Sequence, residues 1–306
     1  MGRCLFVSFL LLGLSLLVAC GSSASSDAGD TSTEPVIYAS NYPVHFFAER
    51  IAGDTLLIRL PPPPAIDPAF WTPTDEDITA LQAADLILLN GASYERWLPT
   101  VVLPGNILLD SSRAYRDRLR SLPVVATHSH GDSGAHSHAG TDFNTWLDAD
   151  LAALQAQTIA DGLTRVAPAQ AAALDAGLTA LLSELAALDK ELQTVCQQAG
   201  EQTLLASHPV YGYLAAAYGL ELRSLLWEPA TMPDDAAWDA FAALRQETDA
   251  NLMLYEDTPA PAIAERLRTA GVEPIVFRPC GNRPPSGDYF TEMAANIARL
   301  RKAFGE

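Results

Sequence analysis

The stretch PAQAAALDAGLTALLSELAALDKELQTVC, running from Pro168 to Cys196, decides the fold. Leucine recurs at 174, 178, 181, 182, 185, 188 and 192 with few breakers between, which is helical spacing. Pro168 suits the first turn of a helix, where its missing N–H costs nothing. A helix of this length can cross a whole domain. The leucine spacing drifts away from strict heptads, so it reads as an intramolecular spine in preference to a coiled coil.

On both sides of the spine, strand-like and helix-like segments alternate. Upstream come a strand at 36–39, a turn at Asn41-Tyr42-Pro43 and a helix from Val44 to Ile51. A strand from Thr55 to Leu60 follows, stopped by the proline run 61–64. Next are a helix from Asp75 to Ala83 with Thr74 as N-cap, and a buried apolar strand at 85–90 that ends at Gly91. A loop rich in His, Ser, Gly and Asp occupies 127–140, and helical sequence covers 146–198. Downstream the pattern resumes with strands at 203–207, 220–226, 251–255 and 274–277. Helices at 211–218, 235–246, 259–270 and 289–304 separate them. Such alternation predicts parallel sheets covered on both faces. The expected fold is α/β: an N-terminal lobe (35–167), one long rigid helix (168–198) and a C-terminal lobe (199–306), with a ligand cleft between the lobes.

The N-terminus carries a separate signal. A positive start at Met1 to Arg3 precedes an apolar run from Leu5 to Val18 and the sequence Leu17-Val18-Ala19-Cys20. The run is short for a transmembrane helix and has the length of a signal-peptide core. Residues 1–20 therefore read as a lipoprotein signal peptide whose cleavage leaves Cys20 to be acylated; an ordinary secretory signal is the alternative. Residues 21–34 contain no large apolar side chain and read as a flexible tether. No later stretch is read as a membrane span. The expected location is the outer face of a bacterial membrane, with acyl chains holding the protein to the bilayer.

With 37 acidic against 19 basic residues, the formal net charge is −18, which excludes nucleic acid as a partner. Beyond Cys20, the cysteines left after processing are Cys196 and Cys280. They could form one disulfide in an oxidising compartment or remain two buried thiols.

Several short motifs occur in a fixed order: Asp67-Pro68 with Thr72-Pro73-Thr74, Ala84-Asp85-Leu86 leading to Asn90-Gly91, and Glu95 with Trp97-Leu98. The His-bearing loop, Trp146-Leu147-Asp148, His208-Pro209 with Tyr211-Gly212-Tyr213, Glu228-Pro229 and a C-terminal Asn296-Ile297-Leu300 helix follow. In that order the chain resembles the zinc- and manganese-type solute-binding lipoproteins of ABC transporters over nearly all its mature length. The resemblance implies two lobes bridged by a rigid helix, an ABC permease as partner, and Zn2+ or Mn2+ as the transported ligand, with no catalytic cofactor.

It also implies a metal held by three histidines and a carboxylate from both lobes, and here the chain departs from its relatives. The first histidine position falls on Ala69, the second on Asn144, the third is kept as His208, and the carboxylate position falls on Arg278. Alanine has no donor atom, asparagine is a poor zinc ligand, and a guanidinium repels a divalent ion. At about 4 Å and an effective dielectric near 20, that repulsion costs several kcal/mol for each charge on the ion.

Three readings stay open. Substitutes near the cleft (His208, Glu95, Glu228, Glu256 or Asp148) could bind a metal. Alternatively, Arg278 with Asn144, His208, Phe70, Trp71 and Tyr211 could hold an anion or small organic ligand. In the third reading the protein is structural or adhesive. Separately, His128, His130, His136 and His138, four of the six histidines, form two His-x-His pairs suited to transient metal capture or to a solvated loop. Trp71, Trp146 and Trp227 read as packing residues. The chain shows no Gly-x-Ser-x-Gly elbow, phosphate-binding glycine loop or Cys-x-x-Cys pair, so a binding protein is expected and not an enzyme.

Overall fold

The computed structural model describes residues 1–2, 34–64, 66–122, 128–129, 135–136, 140–228 and 231–305. Residues 34–306 form one compact unit. Residues 3–33, which hold the rest of the signal peptide, Cys20 and the tether up to Thr33, lie outside the described residues, as do His130 and His138.

The N-terminal lobe begins β1 (Ile37–Ala39), α1 (Tyr42–Ala52), β2 (Ile58–Arg59), α2 (Asp75–Gln82), β3 (Leu86–Leu89) and β4 (Leu108–Asp110). Its four strands pair in parallel in the order β2-β1-β3-β4. Two short antiparallel pairs follow, β5 (Ser121–Leu122) with β8 (Gly140–Thr141), and β6 (His128–Ser129) with β7 (Ala135–His136); His128 stands opposite His136. Next come α3 (Ala149–Val166) and α4 (Ala171–Gln197). The C-terminal lobe is β9 (Thr203–Ala206), α5 (Gly212–Tyr218), β10 (Glu221–Ser224), α6 (Asp235–Thr248), β11 (Leu252–Tyr255), α7 (Pro261–Thr269), β12 (Glu273–Val276) and α8 (Tyr289–Phe304). Its sheet is again parallel, in the order β10-β9-β11-β12. Both lobes thus share one strand order, with a topological switch beside the first strand of each.

Period-two side-chain alternation divides the core into layers. Leu86, Leu88, Leu204, Ala206, Leu252 and Leu254 face one apolar core that runs through both lobes. Ile87 and Leu89 face a separate cluster with Trp71, Leu81 and Trp97. Leu205, Met253 and Tyr255 face a third with Trp227, Trp238 and Phe241. The expected packing roles of Trp71 and Trp227 follow directly.

The spine helix α4 packs on α1 and α3 from the first lobe and on α5 and α8 from the second. Its buried face carries Leu174, Leu181, Leu185, Leu188 and Leu192, a single stripe at helical period. Gly177 permits the close approach of α4 to α1, because a Cβ there would run into the Ile51 carbonyl oxygen. The Arg50 guanidinium, 2.6 Å from a Glu184 carboxylate oxygen, adds a polar tie between the same two helices. By length and composition the segment Pro168–Gln197 is apolar enough to cross a membrane, contrary to the expectation that no later stretch would be. Here its leucine stripe is buried inside the body.

Local capping follows the sequence. Thr74 and Asp77 form a capping box on α2. Pro168 opens a 3-10 turn, Pro168–Gln170, that leads into α4. The predicted strand over 55–60 shortens to Ile58–Arg59, because Gly53–Thr55 turns as a 3-10 helix and Pro61 offers no N–H to a ladder. Strand β4 was not anticipated.

The Cys196–Cys280 bridge is not formed: both thiols are free and buried. Cys196 lies on the buried side of the last turn of α4, and Cys280 lies in the loop after β12. Burial pushes both thiols up to about 12, with Glu292 and Asp288 contributing at Cys280.

Candidate functional site

A cleft of about 1140 Å³ opens between the lobes. Its C-terminal wall is assembled from residues just past the strand ends, where ligands gather in open parallel sheets. His208 follows β9 by two residues, Glu228 follows β10 by four, Glu256 and Asp257 come directly after β11, and Arg278 comes two residues after β12. The backbone ladder continues past the strands and positions them. Ser207 N–H donates to Leu254 O (2.8 Å), Leu225 N–H to Ala206 O (2.8 Å) and Trp227 N–H to Ser207 O (2.7 Å). Glu228 is thereby delivered beside His208, with its Oε1 3.6 Å from His208 Nδ1. His208 is 7% exposed.

The opposite wall comes from the first lobe and includes Asp67, Phe70, Arg96, Asp142, Asn144 and Trp146. Asn144 is fixed by Asp142, whose Oδ1 accepts from the Asn144 N–H (3.0 Å) and Nδ2 (3.2 Å). The Arg96 guanidinium lies 4.8 Å from the Phe70 ring centroid, a cation–π contact. The loop after β12 crosses to this wall and ties the lobes. Asn282 Nδ2 donates to the carbonyls of Pro64 (2.9 Å) and Ile66 (2.8 Å), Trp146 Nε1 to Pro279 O (2.6 Å), and Tyr42 N–H to Gly281 O (3.4 Å). Arg283 in the same loop reaches His45 on α1, 3.5 Å from its Nε2.

Six carboxylates face three guanidiniums in the cleft lining, so its field is negative. Burial, then the neighbouring Glu228 and Asp67 carboxylates, pushes Glu256 up to about 8. Burial raises Asp67, opposed by the Ala69 N–H and by Arg96. Asp142 rises to about 6 through burial, against its bonds to Asn144 and the charge of Arg120. Burial raises all three, and at Glu256 neighbouring carboxylates add to it, so a cation near Glu256 would relieve the local crowding of negative charge.

Of the residues anticipated from sequence, His208, Asn144, Arg278, Glu228 and Glu256 meet in the cleft. Ala69 does not: it is buried behind the wall, and its N–H caps the Asp67 carboxylate at 2.9 Å. Glu95 is likewise displaced from the site. It turns inward beneath the end of β3, accepting from Ser40 Oγ (2.6 Å), Asn90 N–H (2.6 Å) and Gly91 N–H (3.3 Å). Burial still lifts its carboxyl to about 7. Asp148 caps α3 and pairs with Arg118 at 3.1 Å. Tyr211 is fully buried, its hydroxyl donating to Phe277 O.

Arg278 requires the largest revision. Its Nε and Nη2 donate to Asp257 Oδ1 (3.1 and 2.8 Å), and its Nη1 lies 3.4 Å from Glu292 Oε1, an oxygen that Arg299 also contacts at 3.1 Å. Two arginines and two carboxylates form one compensated group. Burial raises Asp257, but the Thr258 N–H and Arg278 outweigh it and hold the carboxyl below its ordinary value. Arg278 is therefore neither a bare positive charge facing a metal nor a guanidinium available to an incoming anion. Asp67, Asp142, Asp257, Asn282 and Glu292 were not anticipated as cleft residues. Only their proximity to strand ends or to Pro68 could have flagged some of them. Among the described residues, no three His, Cys, Asp or Glu side chains converge closely enough to hold a metal ion as the chain stands.

A family model described as "Zinc-uptake complex component A periplasmic" matches residues 37–303. The high-affinity zinc uptake system protein ZnuA of Bacillus subtilis (strain 168) is 26% identical, over 82% of this chain and 80% of that protein. The metal ABC transporter substrate-binding lipoprotein ScbA of Streptococcus cristatus is 28% identical over 100% of both chains. The crystal structure of the Zn(II)-bound ZnuA-like domain of Streptococcus pneumoniae AdcA has the same fold, with a TM-score of 0.74 at 20% identity over 89% of this chain and 100% of that one. Two parallel sheets of like strand order, a spanning helix and a cleft at the strand ends agree with this match over most of the length, and the chain belongs to the family of periplasmic zinc-uptake components.

Proposed function

We propose that this chain is the solute-binding component of a metal-type ABC importer, and that it captures a divalent cation of the zinc or manganese class for delivery to a permease. The observation that carries this reading is the placement of His208, Glu228 and Glu256 past adjacent strand ends in one cleft lining, with Asp67 on the opposite wall. An imidazole with carboxylates is a donor set suited to either ion. Binding requires these side chains to move together, since they are not gathered closely enough to hold an ion. Relatives named as zinc-binding or metal-transport lipoproteins support the same class of ligand. Cys20 carries the lipid anchor at the outer face of the membrane, and the protein binds its ligand stoichiometrically without turning it over.

The test is calorimetric titration of the compact unit 34–306 with Zn2+ and with Mn2+, with and without residues 128–138. One-to-one binding that survives loop deletion and weakens at least tenfold in His208→Ala and Glu228→Gln supports the cleft. Binding that vanishes with the loop, or that ignores both substitutions, rules it out.

A further inference from the structure

We infer that Arg278 is an internal competitor for the cation, setting the affinity of the cleft through its pairing with Asp257. The inference rests on the metal reading above. Arg278 sits in the cleft wall with its guanidinium directed at two carboxylates, Asp257 and Glu292, which line the same cavity. Asp257 adjoins Glu256 in the chain, so the ion pair stands beside the crowded acidic centre. While the pair holds, the positive charge is largely compensated, and the cleft keeps its negative field. If Asp257 lost its charge, the guanidinium would act on an incoming cation with less compensation. If Arg278 lost its charge, the field would deepen.

The geometry also says which variants will fold. Glu292 keeps Arg299, at 3.1 Å, when Arg278 is removed. The Asp257 side chain is 62% exposed and returns to water. Neither carboxylate is then left buried and alone, so Arg278→Met is a clean probe of charge. Asp257→Asn retains an oxygen able to accept from the guanidinium while removing the charge.

The two substitutions therefore move affinity in opposite directions. Titration of the full chain in detergent with Zn2+ alone and with Mn2+ alone at pH 7 and low salt should give about tenfold tighter binding for Arg278→Met and about tenfold weaker binding for Asp257→Asn. Arg278→Lys, which keeps the charge, should stay near the wild-type affinity. Asp257→Asn made in the Arg278→Met background should bring the affinity back toward wild type, because the two opposite charges of the pair act on the same cation. The gap between Arg278→Met and wild type should shrink as salt is raised, which a purely structural effect would not do. Shifts of Arg278→Met and Asp257→Asn in the same direction, no shift, or a double variant that binds as tightly as Arg278→Met overturn the inference while leaving a metal-binding wild type intact. Absence of binding in wild type and Arg278→Met alike overturns both the inference and the function it rests on.

Discussion

Replacing His45 with glutamine should flatten a specific part of the pH dependence of stability. His45 is 1% exposed on α1, with its Nε2 3.2 Å from the Ile58 carbonyl, to which it donates. Glu49 stands 3.2 Å from its Nδ1, and Arg283 lies on its other side. Burial first, and the Arg283 guanidinium second, depress its pKa from 6.5 to about 4, partly opposed by the bond to Ile58. The folded chain thus binds fewer protons at this site than the unfolded chain between those values. Stability is fully present above pH 6.5 and is lost as pH falls through the window, ending near pH 4 where both states are protonated. A displacement of that size corresponds to about 3 kcal/mol at about 1.4 kcal/mol per pH unit. Titrating groups away from His45, such as Glu95 and Glu256 with their opposite shifts, act equally on wild type and variant and cancel in the difference. Urea unfolding of residues 34–306 at pH 7, 6, 5 and 4 should show wild type losing its advantage over His45→Gln by about 3 kcal/mol across the series. A difference that stays constant within about 0.5 kcal/mol would refute the reasoning, and would mean that His45 can be protonated where it sits.

Other expectations follow from the packing. Gly177→Ala should destabilise the body by about 2 kcal/mol in urea unfolding, since a Cβ there meets the Ile51 backbone and forces α4 off α1; the helix-propensity gain of about 1 kcal/mol would otherwise make it stabilising. Asn282→Ala should remove the two bonds to Pro64 and Ile66 and speed amide exchange at Ile66, with little effect on the sheets. Reductant should leave the thermal midpoint unchanged, because Cys196 and Cys280 are free; a drop of several degrees would show a bridge.

The two-lobe α/β plan was legible because its signals are local and repeated. The strand is apolar at every position from 86 to 89, Thr74 marks a helix start, and leucine recurs at helical spacing from 174 to 192. His208, Glu228 and Glu256 could be named as cleft candidates because strand ends are visible in sequence and strand ends collect ligands. Strand β4 escaped notice because Leu108–Asp110 is confined between two 3-10 turns, Gly105–Ile107 and Ser111–Arg118.

What sequence alone determined was the kind of structure and its family: the alternation of strands and helices, the spine between two lobes, and the order of motifs along the chain. What only the tertiary structure decided was the meaning of single polar side chains. Glu95 and Glu256 are both acidic residues near strand ends, yet one turns inward to bind Ser40 and the backbone amides past β3, while the other faces the cleft. Arg278 read as a charge that would repel a metal, until Asp257 and Glu292 were found around it. Secondary structure follows from neighbours along the chain, which a sequence displays. The charge state and purpose of a polar group follow from neighbours in space, brought from tens of residues away by the packing of two sheets on one helix.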